Sequence, residues 1–453
     1  MTDSLTPLFE PETIAVYGAS SRDPARLGNQ LLRNVLAGGR ASVTPVNPAG
    51  GVLEGATAVT SLDRPVDLAL ISVPAARAVD ALRDATAAGA GAAVVLSSGF
   101  GEAGPEGRAV QDEMVAVARA AGTRLVGPNC MGVLSCRGDD DWLDGSYFWD
   151  VPHTPGGISF LTQSGAFGGI FLSEVRQRRA GMARFLSLGN AADVSVTDAL
   201  AWLGQDERTT AIGMFVESVA DGHRFIDVAR EVTAHKPVVA IKAGRSRSGA
   251  RAAASHTGSI AGAYGAVRAA FLRAGITAQT DTGAFFDRLF GTAVAAATPV
   301  RRVAVVTVSG GPGVLAADAV EAHGAELPEL DPATQATIRA LVPDFAPTGN
   351  PVDLTPQCDP ANMERAVRAV YDAAEIDGVV LIDCGLDVPA LGEAVARAHA
   401  ATGKPTTAYV LDVPQVSEHL IAGGVPLFPA VERAVAALVV PRASRPVRPE
   451  VTA

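Results

Sequence analysis

The feature that most constrains this chain is a unit that recurs along it: a short apolar run, a loop of Gly, Ser, Asn or Pro, then an amphipathic helical pattern. The first run covers residues 13–18 and ends in Gly18-Ala19-Ser20-Ser21, leading past Leu27-Gly28-Asn29 to a helix from Gln30 to Leu36. Runs at 42–46, 68–73, 92–96 and 124–126 follow, ending in Asn47-Pro48, Pro74, Ser97-Ser98-Gly99-Phe100-Gly101 and Gly127-Pro128-Asn129-Cys130. Apolar runs of this length between turn residues read as buried strands. Their alternation with helices predicts a parallel, doubly wound α/β sheet, which binds ligands beyond the carboxyl ends of its strands.

The loop at Gly18 lacks the second and third glycines of a dinucleotide fingerprint, and the next strand ends in Val46-Asn47-Pro48 with no acid to hold a ribose. An NAD site is therefore the weaker reading of this loop, and a nucleotide with other needs fits better. Gly18 by itself is also consistent with a tight turn alone.

A second doubly wound unit begins at 157–162, where Gln163-Ser164-Gly165-Ala166 opens a helix through Arg179. Backbone N–H groups of Ser164 and Gly165 at that helix start are expected to form an anion site. Strands at 183–188, 211–216 and 237–242 end in Gly189-Asn190, Glu217-Ser218 and Ala243-Gly244. In a parallel sheet these ends open on one edge, so Gln163, Ser164, Asn190, Glu217 and the loop carrying Ser255-His256-Thr257-Gly258 are expected to converge. Imidazole forms covalent intermediates, and a carboxylate that accepts one ring N–H leaves the other nitrogen to attack. His256 is the expected phosphoryl carrier, Glu217 its partner, and Gly258 part of the phosphate site. Against this, a lone His is most often a surface or hydrogen-bonded residue, and a Glu at a strand end is often a helix cap.

A third unit runs from a strand at 301–308 through Ser309-Gly310-Gly311-Pro312-Gly313, with strands at 379–382, 406–411 and 425–428 and helices near 360–374, 389–402 and 429–438. The stretch 348–354 reads as a turn-rich connection. At 453 residues and 48% hydrophobic the chain has ample core for three domains. The divisions expected are 1–136, a linker loop at 137–156 that holds Asp139 to Trp149, 157–298, 299–441 and a frayed tail at 442–453. A net charge of −11 argues against a general nucleic-acid or membrane-surface role. No apolar run is long enough to span a membrane, and the start lacks a signal-peptide pattern, so a cytoplasmic protein is expected. Cys130, Cys136, Cys358 and Cys384 have no metal-ligand spacing, so no metal site is expected and reduced thiols are.

An ordered set of motifs then resembles the alpha subunit of the ADP-forming acyl-CoA synthetases, relatives of succinyl-CoA synthetase. It comprises Tyr17-Gly18-Ala19-Ser20, Val46-Asn47-Pro48, Gly99-Phe100-Gly101-Glu102, Gly127-Pro128-Asn129-Cys130, Gln163-Ser164-Gly165, Ser187-Leu188-Gly189-Asn190, Ser255-His256-Thr257-Gly258 and Gly310-Gly311-Pro312-Gly313. The resemblance implies a Rossmann-like CoA-binding domain followed by two flavodoxin-like domains. It implies CoA contacts at Gly18, Ala19, Ser20, Asn47, Val73, Pro74, Ser98 and Asn129, a phosphohistidine at His256 with Glu217, and a phosphate cradle at Gln163, Ser164, Gly165, Asn190 and Gly258. The implied reaction interconverts a carboxylate, CoA and ATP with acyl-CoA, ADP and phosphate through an acyl phosphate. No Gly-rich nucleotide loop or carboxylate pair for magnesium follows the third unit, so ATP and Mg are expected on a separate ATP-grasp beta subunit. Two further readings stay open: a CoA-binding scaffold without turnover, and an amide ligase with an amine as acceptor. The acid, ATP versus GTP, the direction and the subunit count are not fixed by the sequence.

Overall fold

The computed structural model describes residues 2–21, 23, 25–138, 140–251, 264–295 and 300–439. His256, Gly258 and the expected tail at 442–453 lie outside them. The chain forms two compact units: Met1–Val175 with Gly181–Asp281, and Arg176–Ala180 with the described residues from Thr282 onward.

In the first unit β1 (Thr13–Tyr17), β2 (Ser42–Val46), a small hairpin of β3 (Gly51–Leu53) and β4 (Ala56–Ala58), β5 (Leu68–Ile71), β6 (Ala92–Val95) and β7 (Arg124–Val126) come first. The five longer-range strands pair in parallel in the order β2-β1-β5-β6-β7. Every residue of β5 and β6 is buried, as expected for strands covered by helices on both faces. The reversal of strand order beside β1 puts a crevice at its carboxyl end, where Gly18 turns.

A second sheet follows, from β8 (Gly132–Gly138), β9 (Asp141–Ser146), β10 (Pro155–Thr162), β11 (Met182–Ser187), β12 (Ala211–Val216), β13 (Val238–Lys242) and β14 (Thr277–Gln279), in the order β14-β13-β12-β10-β11-β8-β9. Residues 137–156, expected to be a linker loop, instead hold the end of β8, all of β9 and the start of β10. β8 and β9 pair antiparallel from Gly132↔Ser146 onward, and β8 lies antiparallel on β11 through Phe185↔Leu134. Trp142, Asp144 and Tyr147 of this stretch are turned inward, while Trp149 is 66% exposed. Trp142 and Leu143 are 5% and 1% exposed, and the buried Asp144 accepts a bond from Ser146 Oγ at 2.7 Å. One apolar core runs from Leu31 of the helix Leu27–Ala37 and Leu70 and Val94 of the first sheet through Val133 and Leu143 to Leu161, Leu186 and Met214 of the second. The two sheets share that core, so packing does not break at residue 136.

The second unit holds a parallel sheet of β15 (Val303–Thr307), β16 (Val352–Asp353), β17 (Gly378–Cys384) and β18 (Thr406–Leu411), ordered β16-β15-β17-β18. The expected turn segment 348–354 contains β16. Beside it Asn350 continues the ladder with its side chain, accepting from Val305 N and donating to Val303 O, both at 2.9 Å. The strand expected at 425–428 is reduced to a single bridge, Ala408↔Leu427. Pro426 has no N–H to give a ladder. No helix among the described residues is long and apolar enough to cross a membrane.

Candidate active site

The helix Gly165–Gln177 begins at the carboxyl end of β10. Its aromatic underside fixes where it begins: Phe171 stacks on Phe160 of β10 with centroids 4.3 Å apart, and Phe167 on Phe215 of β12 at 4.2 Å. Gly168 allows that approach, since a Cβ there would lie 2.7 Å from Phe185 Cζ. The anion site expected from Ser164 and Gly165 is only half present. Ser164 gives its N–H to Thr162 Oγ1 at 3.0 Å, Thr162 returns its hydroxyl to Ser164 O at 2.7 Å, and Ser164 Oγ caps Phe167 N at 3.3 Å. The donors left for an anion are those of Gly165 and Ala166, which open the helix and have no partner inside it. The same lock recurs in the second unit, where Thr307 and Ser309 exchange both bonds at 2.9 Å before the helix Gly310–Ala322. Thr-x-Ser-Gly at a strand end is thus a readable signal of such a helix start.

Gln163 and Glu217 come together as expected. Gln163 Oε1 accepts from Glu217 N at 2.7 Å and Ser218 N at 3.0 Å, tying the end of β10 to the end of β12. Glu217 is 9% exposed. β13 contributes a residue that the sequence places only at the end of the strand 237–242. Lys242, 7% exposed, pairs in register with Val216, next to Glu217, and gives Nζ to Ala243 O at 2.6 Å. Burial pushes the ammonium down from its usual range, and the charge of Glu217 opposes that shift.

The expected CoA residues lie along the carboxyl edge of the first sheet. Gly18 adopts φ +108°, and a Cβ there would sit 2.0 Å from Ser72 O; Gly28 closes the loop from the helix side, where a Cβ would sit 2.3 Å from Gly18 O. Only glycine permits either approach. The loop is then tied down: Asn47 Nδ2 donates to Ala19 O at 2.8 Å, and Asn29 Oδ1 accepts from Ser20 N at 2.9 Å. Ala19 is buried at 2% exposure and offers no side chain, and Ser20 has its N–H engaged, so both shape the crevice from behind. Val73, Pro74, Ser98 and Asn129 remain at least partly accessible at the ends of β5, β6 and β7.

Asn190, expected in the phosphate cradle, is instead a tie. Its Nδ2 donates to Glu102 Oε2 at 2.6 Å and Gln111 Oε1 at 2.9 Å, and its Oδ1 accepts from Asn129 Nδ2 at 3.3 Å. Glu102 also accepts from Gly99 N at 2.6 Å and Phe100 N at 3.1 Å. Burial pushes the Glu102 carboxyl up, but the bonds from Asn190 and these backbone groups outweigh it and hold it below the usual carboxylate range.

Between the tied edges lies a cavity of about 260 Å³, lined on one side by Gln163, Ser164, Gly165 and Asn190 and on the other by Leu96, Cys130, Met131 and Tyr147. A larger groove of about 910 Å³ lies in the second unit. Its charged rim is internally paired, Arg368 with Asp372 at 2.8 Å and Arg397 with Glu364 at 3.2 Å. The smaller cavity is the candidate site because the helix start, the CoA-type edge and Gln163 all meet there.

Three family descriptions match in succession: the CoA binding domain over residues 12–135, the succinyl-CoA ligase like flavodoxin domain over 155–290, and the ligase-CoA domain over 303–438. The alpha subunit of ADP-forming acetate–CoA ligase II of Pyrococcus furiosus is 33% identical over 447 residues, 95% of each chain. The corresponding alpha subunit of isoenzyme I is 34% identical over 452 residues, 96% of each. The chain belongs to the ADP-forming acyl-CoA synthetase family. A solved dinucleotide-forming acetyl-coenzyme A synthetase 1 of Ca. Korarchaeum cryptofilum, in complex with phosphate and ADP, superposes on this synthetase with a TM-score of 0.84 at 32% identity, covering 97% of this chain and 96% of that one.

For an acyl-CoA synthetase, Lys242 carries a direct test. Lys242→Met removes the cation on which the Glu217 charge acts, so phosphoryl labelling of the intact chain is expected to slow by about tenfold or more. An unchanged labelling rate removes Lys242 from the site.

Proposed function

We propose that this synthetase alpha subunit binds CoA along the carboxyl edge of its first sheet and carries a phosphoryl group on His256, with Glu217 as its partner. The observation that carries the reading is the joining of Gln163, Glu217 and Lys242 at one sheet edge, beside the helix start at Gly165. The loop that leads to His256 leaves from that edge after β13. Family membership fixes the reaction class as ADP-forming ligation of a carboxylic acid to a thiol. In the synthetic direction the carboxylate oxygen attacks phosphorus of phosphohistidine, the P–N bond breaks, and an acyl phosphate forms. The CoA thiol, losing its proton, then attacks the acyl carbon and phosphate leaves.

The protein's work in these steps is to hold migrating negative charge. Gly165 and Ala166 supply N–H donors at the positive end of a helix seated by Phe167 and Phe171. Gly18, Asn47, Val73, Pro74, Ser98 and Asn129 are the residues we assign to CoA. ATP and Mg are assigned to an ATP-grasp beta subunit as a separate chain, in line with the alpha-subunit naming of the two Pyrococcus relatives. Among the described residues no disulfide joins the four cysteines, which suits a reducing cytoplasm. We also retain the three-domain division at 1–136, 157–298 and 299–441 as a functional one.

The test needs no beta subunit. The intact chain, incubated with acetyl phosphate, is expected to gain one acid-labile, alkali-stable phosphoryl group that fragmentation maps to His256. A label on another residue, or none, overturns the reading and favours a CoA-binding scaffold.

A further inference from the structure

Resting on the phosphoryl-transfer reading, we propose that the cavity at Gly165 is the acid pocket of this enzyme. Met131 sets the length of acyl chain it takes, and the pocket selects acids whose tail carries no charge.

The position of Met131 is the first argument. A Cβ on Gly165 would lie 2.6 Å from Met131 Cγ, so the methionine side chain lies across the start of the anion-binding helix. Its backbone is pinned on both sides: Met131 N donates to Ser187 Oγ at 3.0 Å, and Met131 O accepts from Tyr147 N at 3.1 Å. Only its three side-chain torsions can yield to a longer substrate, and methionine yields readily but within limits.

Size is the second argument. The cavity of about 260 Å³ has room for about nine water-sized groups at ~30 Å³ each. A two-carbon acyl phosphate nearly fills it, and each added methylene must be accommodated by displacing Met131. Acids of about two to four carbons fit on this reckoning.

Charge is the third. Among the described residues that line the cavity there is no Arg, Lys or His. Burial pushes the Cys130 thiol up to about 12, and does the same for Tyr147, whose hydroxyl is bonded to Ser72 Oγ, so both are neutral walls. A second carboxylate on the acid would enter without a cation, and a buried unpaired charge costs several kcal/mol.

The intact chain is labelled with acetyl, butyryl, phenylacetyl and succinyl phosphates, and each rate is divided by that for acetyl phosphate. Wild type is expected to use butyryl phosphate well, phenylacetyl phosphate at least about tenfold more slowly and succinyl phosphate about a hundredfold more slowly. In Met131→Ala the phenylacetyl ratio is expected to rise about tenfold or more with the succinyl ratio unmoved. In Met131→Phe the butyryl ratio is expected to fall about tenfold. Label from acetyl phosphate with the same ratios in all three proteins overturns the role of Met131, and a succinyl ratio equal to the butyryl one overturns the charge selection. Absence of label from every donor overturns the phosphoryl-transfer reading itself. Because the two variants act in opposite directions, one that fails to fold leaves the other as the test.

Discussion

Glu217→Gln is expected to take a phosphoryl label from acetyl phosphate some 10²–10⁴-fold more slowly than the wild-type chain, the range for a lost proton-handling group. The substitution keeps the shape of the side chain and one acceptor oxygen but removes the charge. Glu217 N stays bonded to Gln163 Oε1 at 2.7 Å, so the end of β12 does not move. CoA affinity, which we assign to the edge of the first sheet, is expected to be unchanged. Rapid-quench labelling measures the rate, and a fall of less than about threefold would show that Glu217 only caps the strand end.

The second large effect concerns stability. Arg184 is 2% exposed and sits where β11 meets β8 and the start of the chain. Its guanidinium grips Asp206 with Nε at 3.1 Å and Nη2 at 3.0 Å, bonds Glu10 and Ser135 Oγ, reaches Cys136 O at 3.3 Å and lies 5.4 Å from the Trp202 ring centroid. Arg184→Met roughly keeps the volume and strips both guanidinium bonds from the buried Asp206 carboxylate, leaving it the hydroxyl of Thr209 at 2.6 Å and the charge of Lys236. The expected cost is ~3–5 kcal/mol, and at about 2–4 °C per kcal/mol the melting point falls by roughly 6–20 °C. The sign of the pH dependence gives a sharper check. In wild type, burial pushes Asp206 up, but bonds from Arg184 and Thr209 outweigh it and hold it below its usual range. The stability this contributes is present above the unfolded value of about 3.9 and lost as pH falls below it toward the lower folded value. In Arg184→Met the carboxylate keeps its burial but loses the guanidinium that favours its charged form, so acidification should relieve part of the loss. Double replacement of Arg184 and Asp206 by apolar residues should recover stability, since an ion pair exchanged for good packing is often neutral. A melt that shifts by less than about 2 °C in the single variant would refute the assignment.

The strand that sequence reading places best, 211–216, is the unbroken apolar run Ala-Ile-Gly-Met-Phe-Val, and burial along nearly its whole length leaves no polar residue to blur the pattern. The β8–β9 hairpin was hidden for the opposite reason. Its inward residues include Asp144 and Ser146, which satisfy each other locally and so look like loop. At the site, strand ends brought Gln163 and Glu217 into view, but the state of each N–H did not follow from sequence. Ser164 is silenced by Thr162, two residues earlier, through the local hydroxyl bonding that competes with any ligand. Asn190 is claimed by Glu102 and Gln111, 88 and 79 residues away in the chain, a partnership that only the folded chain reveals. Met131 and Lys242 were missed because each is an ordinary residue in an ordinary strand or turn until its neighbours are known.

The match to the CoA binding domain ends at residue 135, part-way along β8, yet the hydrogen bonds of the β8–β9 hairpin belong to the sheet of the next region. A recombinant fragment ending at 136 would therefore carry a ribbon of Val133 and Leu134 with no floor beneath it. The complementary fragment would expose β11 as a bare edge, the kind that seeds aggregation. Exchanges between relatives that respect the hairpin must move residues 129–148 as one cassette, and that cassette contains Met131 and Tyr147. Acid preference would then be transplanted with the seam between the regions rather than with either one.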